Sequence, residues 1–174
     1  SDGQGRPAIQ LEGVSKSFKV HKVLDDITID VRQGTAFCLL GRSGTGKSVT
    51  LKHIIGLMKP DKGRVLVHGK DVTALKRREL SEVRRGMGFL FQNSALFDSI
   101  TVGENVAFPL RRHTDWDERK ILETAKSKLA DVGLADDFNK MPSDLSGGMK
   151  KRAGLARAMA LDPDILLVDE PSAG

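Results

Sequence analysis

The octapeptide Gly41-Arg42-Ser43-Gly44-Thr45-Gly46-Lys47-Ser48 satisfies G-x-x-x-x-G-K-[ST], a phosphate-binding loop that needs a strand before it and a helix after it. Both flanks are legible. Ala36-Phe37-Cys38-Leu39-Leu40 is a short apolar run that reads as a buried strand, and Val49 to Leu57 reads as a helix ending near Gly56, ahead of Pro60. Glycines 41, 44 and 46 let the backbone turn tightly and aim successive N–H groups inward. The helix that follows adds unpaired donors and the positive end of its dipole. The loop Gly41 to Ser48, with Val49 behind it, is therefore expected to hold a nucleotide, Lys47 reaching the β- and γ-phosphates and the Ser48 hydroxyl ligating Mg²⁺.

The chain's other end answers this loop. Ile165-Leu166-Leu167-Val168-Asp169-Glu170 is an apolar strand closing on two carboxylates, which is costly unless cations or water receive them. Beside a phosphate loop, Asp169 is expected in the Mg²⁺ shell and Glu170 beside the attacking water. A third apolar strand, Met87 to Gln92, ends on an amide that can contact a metal or water. Leu145-Ser146-Gly147-Gly148-Met149 opens a helix carrying Ala153, Ala156 and Ala160 along one side. A simple capped helix and a second anion-binding terminus both fit that pattern.

Ile9 to Val14 and Ile27 to Val31 look like strands, the second alternating as an antiparallel strand with one wet face does. Phe18, between them, reads equally as a platform for an adenine ring or as a core residue. Arg64 to His68 is another short strand, and Lys76 to Arg85 a charged surface helix. From Asn93 to Leu161 the pattern turns helical. Thr101-Val102-Gly103-Glu104 is a capping box for a short helix that Pro109 is expected to interrupt. Asp115 to Glu118 offers a second box, before Ile121, Leu122, Ala125, Leu129 and Val132 at helical spacing, stopped by Gly133.

The chain has 174 residues, 39% hydrophobic and 29% charged, ordinary for a globular domain. No apolar run approaches the roughly 20 residues of a membrane helix. The start, Ser1 to Gly5, has no apolar signal core and no Met, and reads as a cloning remnant or a processed end. The single Cys38 rules out a disulfide framework and reads as a core residue. The net charge of +5 includes basic clusters at Lys76-Arg77-Arg78, Arg84-Arg85, Arg111-Arg112 and Lys150-Lys151-Arg152. Tyr is absent and there is one Trp, so the aromatics a nucleic-acid platform needs are not interleaved there. Solvated helix faces plus an anionic ligand explain the charge better, and no nucleic-acid partner is expected.

In this order the phosphate loop, Gln92, Leu145-Ser146-Gly147-Gly148 and Asp169-Glu170 resemble the nucleotide-binding domain of an ABC transporter, from about Ile9 onward. The resemblance implies an α/β fold with a P-loop NTPase (RecA-like) core over 1–92 and 163–174, a mixed sheet with an antiparallel β portion, and an inserted helical subdomain over 93–162. It implies ATP and Mg²⁺ as cofactors, and two copies dimerised head to tail. Ser146, Gly147 and Gly148 of one copy would then close on the γ-phosphate held by the other. Phe18 would stack on adenine. Gln92 would sense the γ-phosphate, join the metal site and, with the helical insert, contact a membrane permease.

Phe91-Gln92-Asn93-Ser94-Ala95-Leu96-Phe97-Asp98-Ser99 and Leu145 to Arg152 are similar to ATPases of the Mla/Mce lipid-trafficking systems, with Met149 where the broad family has Gln. That adds an MCE-domain partner, a phospholipid-type cargo and a place on the cytoplasmic face of the inner (plasma) membrane, held by the permease. Pro171-Ser172-Ala173-Gly174 falls inside the family's D-loop. None of His21, His53, His68 or His113 follows the Walker B strand, so none is the family's switch histidine. The chain as it stands is expected to expose an apolar sheet edge, to self-associate and to hydrolyse ATP poorly. Competing readings are another ABC importer or exporter ATPase, a soluble ABC protein acting on nucleic acid, and a nucleotide-binding fragment without turnover.

Overall fold

The computed structural model describes residues 6–33, 37–40, 46–90 and 94–170. Contacts divide the chain into one unit of Ser1–Met87 with Asp169–Gly174 and another of Gly88–Val168.

In the first unit β1 (Ile9–Phe18) and β2 (His21–Val31) form an antiparallel hairpin with Ile9 opposite Val31, Leu11 opposite Ile29 and Phe18 opposite His21. Both strands run beyond the alternating segments seen in the sequence. The turn between them is only Lys19-Val20, with Lys19 left-handed at φ 56°, so Phe18 ends a strand and does not lie in a loop. β4 (Lys62–Val67) pairs antiparallel with the other edge of β1, and the short β5 (Lys70–Asp71) completes the order β2-β1-β4-β5. Ile9, Leu11, Val14, Val65 and Val67 are buried and form the dry face of this sheet. The alternation of β1 slips between Leu11 and Val14, where Gly13 is left-handed and the register shifts.

The remaining elements of this region are β3 (Phe37–Leu40), α1 (Lys47–Ile54) and α2 (Arg77–Arg85). α1 ends at Ile54, and Gly56, left-handed at φ 71°, closes the turn after it. α2 buries no residue, as its run of charges requires, and Glu79 caps its start by accepting from the Lys76 N–H at 2.8 Å.

The second unit packs α3 (Val102–His113), α4 (Glu118–Asp131) and α5 (Gly147–Ala158) around one core. Val102, Val106 and Leu110 come from α3, Ile121, Ala125 and Leu129 from α4, and Ala153 and Ala156 from α5, each set at helical spacing. β6 (Met87–Leu90) and β7 (Ile165–Glu170) are neighbours in one sheet.

Two expectations need correction. Pro109 does not interrupt its helix; α3 continues to His113. The lost N–H and ring clash cost about 3 kcal/mol, but Leu110 beyond the proline is fully buried with Val102 and Val106, and that packing holds the helix together. The capping boxes are halves. Thr101 Oγ1 accepts from the Glu104 N–H at 3.1 Å, while the Glu104 carboxylate is drawn to Arg111, which also bridges Glu118. At α4 the cap is Asp117, accepting from the Lys120 N–H at 2.8 Å, and a lysine at that position cannot return the bond.

Candidate functional site

Gly41, Arg42, Ser43, Gly44, Thr45 and Gln92 lie outside the described residues, as do the side chains of Cys38, Lys47 and Glu170 and all of Pro171 to Gly174. The structure does describe the exit of the phosphate loop. Gly46 is the residue before α1, left-handed at φ 85°. A Cβ there would lie 3.2 Å from the Val23 carbonyl oxygen and 3.3 Å from the Leu24 and Val23 side chains. Conformation and space both exclude other residues. The Gly46 carbonyl then accepts from the Thr50 N–H at 2.8 Å and from Thr50 Oγ1 at 2.9 Å, so the helix begins without delay.

No side chain caps α1 and its first turn carries no acidic residue. α3, α4 and α5 differ: each has a Thr, Asp or Ser oxygen accepting from the first turn. The N–H groups at the start of α1 have no acceptor inside the helix, and the positive end of its dipole is not neutralised, which is the arrangement that takes an anion. Ser48 sits in that first turn and is exposed; Val49 beside it is half-buried.

The hairpin brings Phe18 towards this loop exit. Val23 and Leu24 of β2, which back Gly46, lie in the segment of β2 that pairs with the end of β1, where Leu24 is opposite Lys16 and His21 opposite Phe18. The Phe18 ring is 43% exposed, so the core reading of this residue fails. Lys16 Nζ stands 5.7 Å over the ring and also binds Asp61 Oδ1 at 3.1 Å. Asp61 Oδ2 accepts from the Ser17 N–H at 2.8 Å. That bond, with Lys16 beside it, holds the Asp61 carboxyl below the usual carboxylate range. In sequence, Lys59-Pro60-Asp61-Lys62-Gly63 reads as a turn. The grip of Asp61 on the main chain next to Phe18 depends on strand pairing across a long sequence separation and carries no local signal.

β7 buries Ile165 and Leu167 and delivers Asp169 half-buried, with Oδ1 shielded from solvent. Among the described residues no group of three or more His, Cys, Asp or Glu side chains gathers to hold a metal. A hydroxyl at Ser48 and a carboxylate at Asp169 are hard oxygen donors. Two protein oxygens completed by phosphate and water suit Mg²⁺, which is usually bound that way.

In the second unit Ser146 caps α5, its Oγ accepting from the Met149 N–H at 3.2 Å. The hydroxyl proton is still available to donate. A Cβ added at Gly147 or Gly148 would meet nothing within 4 Å. The fold of this chain does not require either glycine, and both leave the start of α5 open to close approach. Met149 packs against the helical core, which gives an apolar residue at this position a structural reason.

Comparison with known proteins agrees with this pattern. The sequence profile of a family described as ABC transporter matches residues 24–173. The chain is 48% identical over 167 residues to the probable ribonucleotide transport ATP-binding protein mkl of Mycobacterium leprae, covering 96% of this chain and 48% of that protein. It is 47% identical over 152 residues to the intermembrane phospholipid transport system ATP-binding protein MlaF of Haemophilus influenzae, covering 87% of this chain and 58% of the relative. The chain thus spans about half the length of the curated relatives it matches. Among solved structures, the ATP-binding cassette MJ0796, a dimer in a post-hydrolysis state bound to ADP and Pi, superposes with a TM-score of 0.80 at 31% identity, over 92% of this chain and 72% of that one. CbiO1 of Clostridium perfringens, part of the ABC transporter complex cbiONQ, gives 0.85 at 27% identity, over 97% and 67%.

Proposed function

The chain belongs to the ABC transporter family, and from that premise we propose that it is the ATP-binding part of a subunit coupling ATP hydrolysis to phospholipid-type transport through a separate permease. The observation that carries the reading is the start of α1: a left-handed Gly46 at the end of the phosphate-loop motif, no side-chain cap and no acidic residue in the first turn.

In this reading Gly41 to Val49 bind the triphosphate, with Lys47 on the β- and γ-phosphates and Ser48 and Asp169 as protein ligands of Mg²⁺, joined by Gln92. Bound Mg²⁺ supplies charge neutralisation at the phosphate oxygens. Glu170 orients the attacking water and takes its proton. Phe18, exposed at the end of β1, offers a face to the adenine. Ser146 donates its free hydroxyl proton, and Gly147 and Gly148 their backbone N–H groups, to the γ-phosphate held by a second copy of the chain.

Among the described residues no helix is long and apolar enough to cross a membrane, so transport needs a membrane-spanning partner. The second unit offers a surface for one. Phe97 and Phe108 are 47% and 41% exposed, with ring centroids 5.1 Å apart, and form an aromatic patch that stays open among the described residues. We assign the permease to that patch and, with it, the subunit to the cytoplasmic face of the inner (plasma) membrane. An MCE-domain protein is proposed to complete the complex. The names of the MlaF relatives support the phospholipid cargo, whereas the name of the mycobacterial relative favours ribonucleotide transport.

Glu170→Gln in the full-length protein is the test. ATP binding is expected to persist while turnover falls at least about a hundredfold, the scale of a lost general base; unchanged turnover would overturn the role of Glu170. Stimulation of the reconstituted complex by phospholipid, and not by ribonucleotides, separates the two cargoes.

A further inference from the structure

Arg157 lies in the last turn of α5, and its guanidinium folds inward onto the chain that follows β6. Nη2 donates to the Ser94 carbonyl at 2.6 Å and Nη1 to the Ala95 carbonyl at 2.8 Å. Burial pulls the pKa of this arginine below its ordinary value, with no neighbouring carboxylate raising it. A half-buried cation of this kind loses part of its hydration and needs hydrogen bonds in its place. Its two acceptors are unusual in the same way. Ser94 and Ala95 are consecutive left-handed residues, at φ 56° and 50°. Successive residues in one helical conformation point their carbonyls the same way, so one planar fork can take both.

The contact is reinforced one turn earlier in α5. A Cβ at Gly154 would lie 3.2 Å from Leu90 Cδ1 and 3.3 Å from Ser94 Cβ, so the helix rests directly on this segment. Downstream, the fully buried Asn105 of α3 grips Phe97. Its Oδ1 accepts from the Phe97 N–H at 2.7 Å, and its Nδ2 donates to the Phe97 carbonyl at 3.1 Å and the Thr101 carbonyl at 2.9 Å. The segment 94–101 is thus clamped by α5 at one end and α3 at the other, while the Phe97 ring faces out against Phe108.

We propose that Arg157 is a positioning residue that locks α5 to the segment carrying Phe97, so that a displacement imposed on the Phe97–Phe108 patch by the permease reaches the Ser146–Gly148 start of α5. The inference rests on the permease assignment above. Its chemistry is specific: two main-chain carbonyls need a forked donor with a fixed geometry, and an apolar side chain would fill the space without holding the turn.

The test uses the full-length subunit, assayed for ATP turnover free and with its permease in phospholipid vesicles. Arg157→Met is expected to leave the free subunit within about twofold of the parent and to remove at least about fivefold of the permease-stimulated turnover, within the range over which coupling residues act. Arg157→Lys, which keeps the charge but not the fork, recovers part of that loss. Equal proportional losses in both assays, or none, overturn the proposal. Combining Arg157→Met with Phe97→Ala should give a loss well short of the product of the two single losses; a full product overturns it too. If Arg157→Met does not fold, Gly154→Ala, which crowds Leu90 and Ser94 and leaves Arg157 in place, must lose stimulation in the same way, and retained stimulation counts against the proposal. The parent subunit distinguishes the two levels. If it gains no turnover from the permease, the permease assignment falls; if it is stimulated and Arg157→Met changes nothing, only the present inference falls.

Discussion

A Cβ at position 46 would press on the Val23 carbonyl from a backbone at φ 85°, whereas a Cβ at position 147 or 148 would meet open space. The two substitutions should therefore part company. Gly46→Ala is expected to destabilise the fold by about 1–3 kcal/mol through strain and crowding and to weaken ATP binding with it. Gly147→Ala should leave stability unchanged or raise it by up to about 1 kcal/mol, since glycine is a poor helix residue, yet lower turnover. Thermal melts beside nucleotide titration and an ATPase assay check both; a destabilised Gly147→Ala would show that the glycine serves this chain's own fold. The motif glycines look alike in the sequence. Only the structure separates the one that is required internally from those left open to something outside.

Among the elements, the β1–β2 hairpin shows how acid should act on this molecule. Asp61 ties β1 to the turn before β4 through the Ser17 N–H and Lys16, and its carboxyl titrates below the ordinary value near 4. A carboxyl depressed in the folded state contributes stability above its unfolded pKa and loses it as pH falls through the folded one. Below about pH 4 the hairpin end bearing Phe18 should loosen before the sheet does. Asp61→Asn should remove that acid response, and amide exchange at Ser17 and Phe18 against pH is the measurement. No change in exchange between the parent and the variant would refute it. Most elements could be read from the sequence because their signals are local: the spacing of Ile121, Ala125 and Leu129, the Thr101 and Ser146 caps, the alternation in β2. What could not be read depends on partners distant in sequence. Pro109 argued for a break, and only the burial of Leu110 against two other helices explains why none occurs. Nothing near Arg157 in sequence announces Ser94 and Ala95 as its acceptors.

At the scale of the whole molecule the helical core draws on one stretch of chain, with every buried member between Val102 and Ala160. Leu129→Ala should cost that unit about 2–5 kcal/mol and speed amide exchange through α3, α4 and α5, while β1 and β4 keep their protection. Uniform loosening of both regions would argue against separate cores. The motifs of the candidate site were plain in the sequence at Gly41 to Ser48 and at Asp169-Glu170, and contacts divide the chain after Met87 and again after Val168. That division has a consequence for biosynthesis. Asp169 groups with the unit that begins the chain, although about 80 residues of the other unit, Gly88–Val168, intervene. At about 5–20 residues per second a ribosome needs roughly 4–16 s to make them. During that interval the nascent chain already carries its phosphate loop and has no Asp169, and its helices are free to fold on local contacts first. A site that uses both the loop and Asp169, as proposed, can therefore be completed only after the intervening unit has left the ribosome.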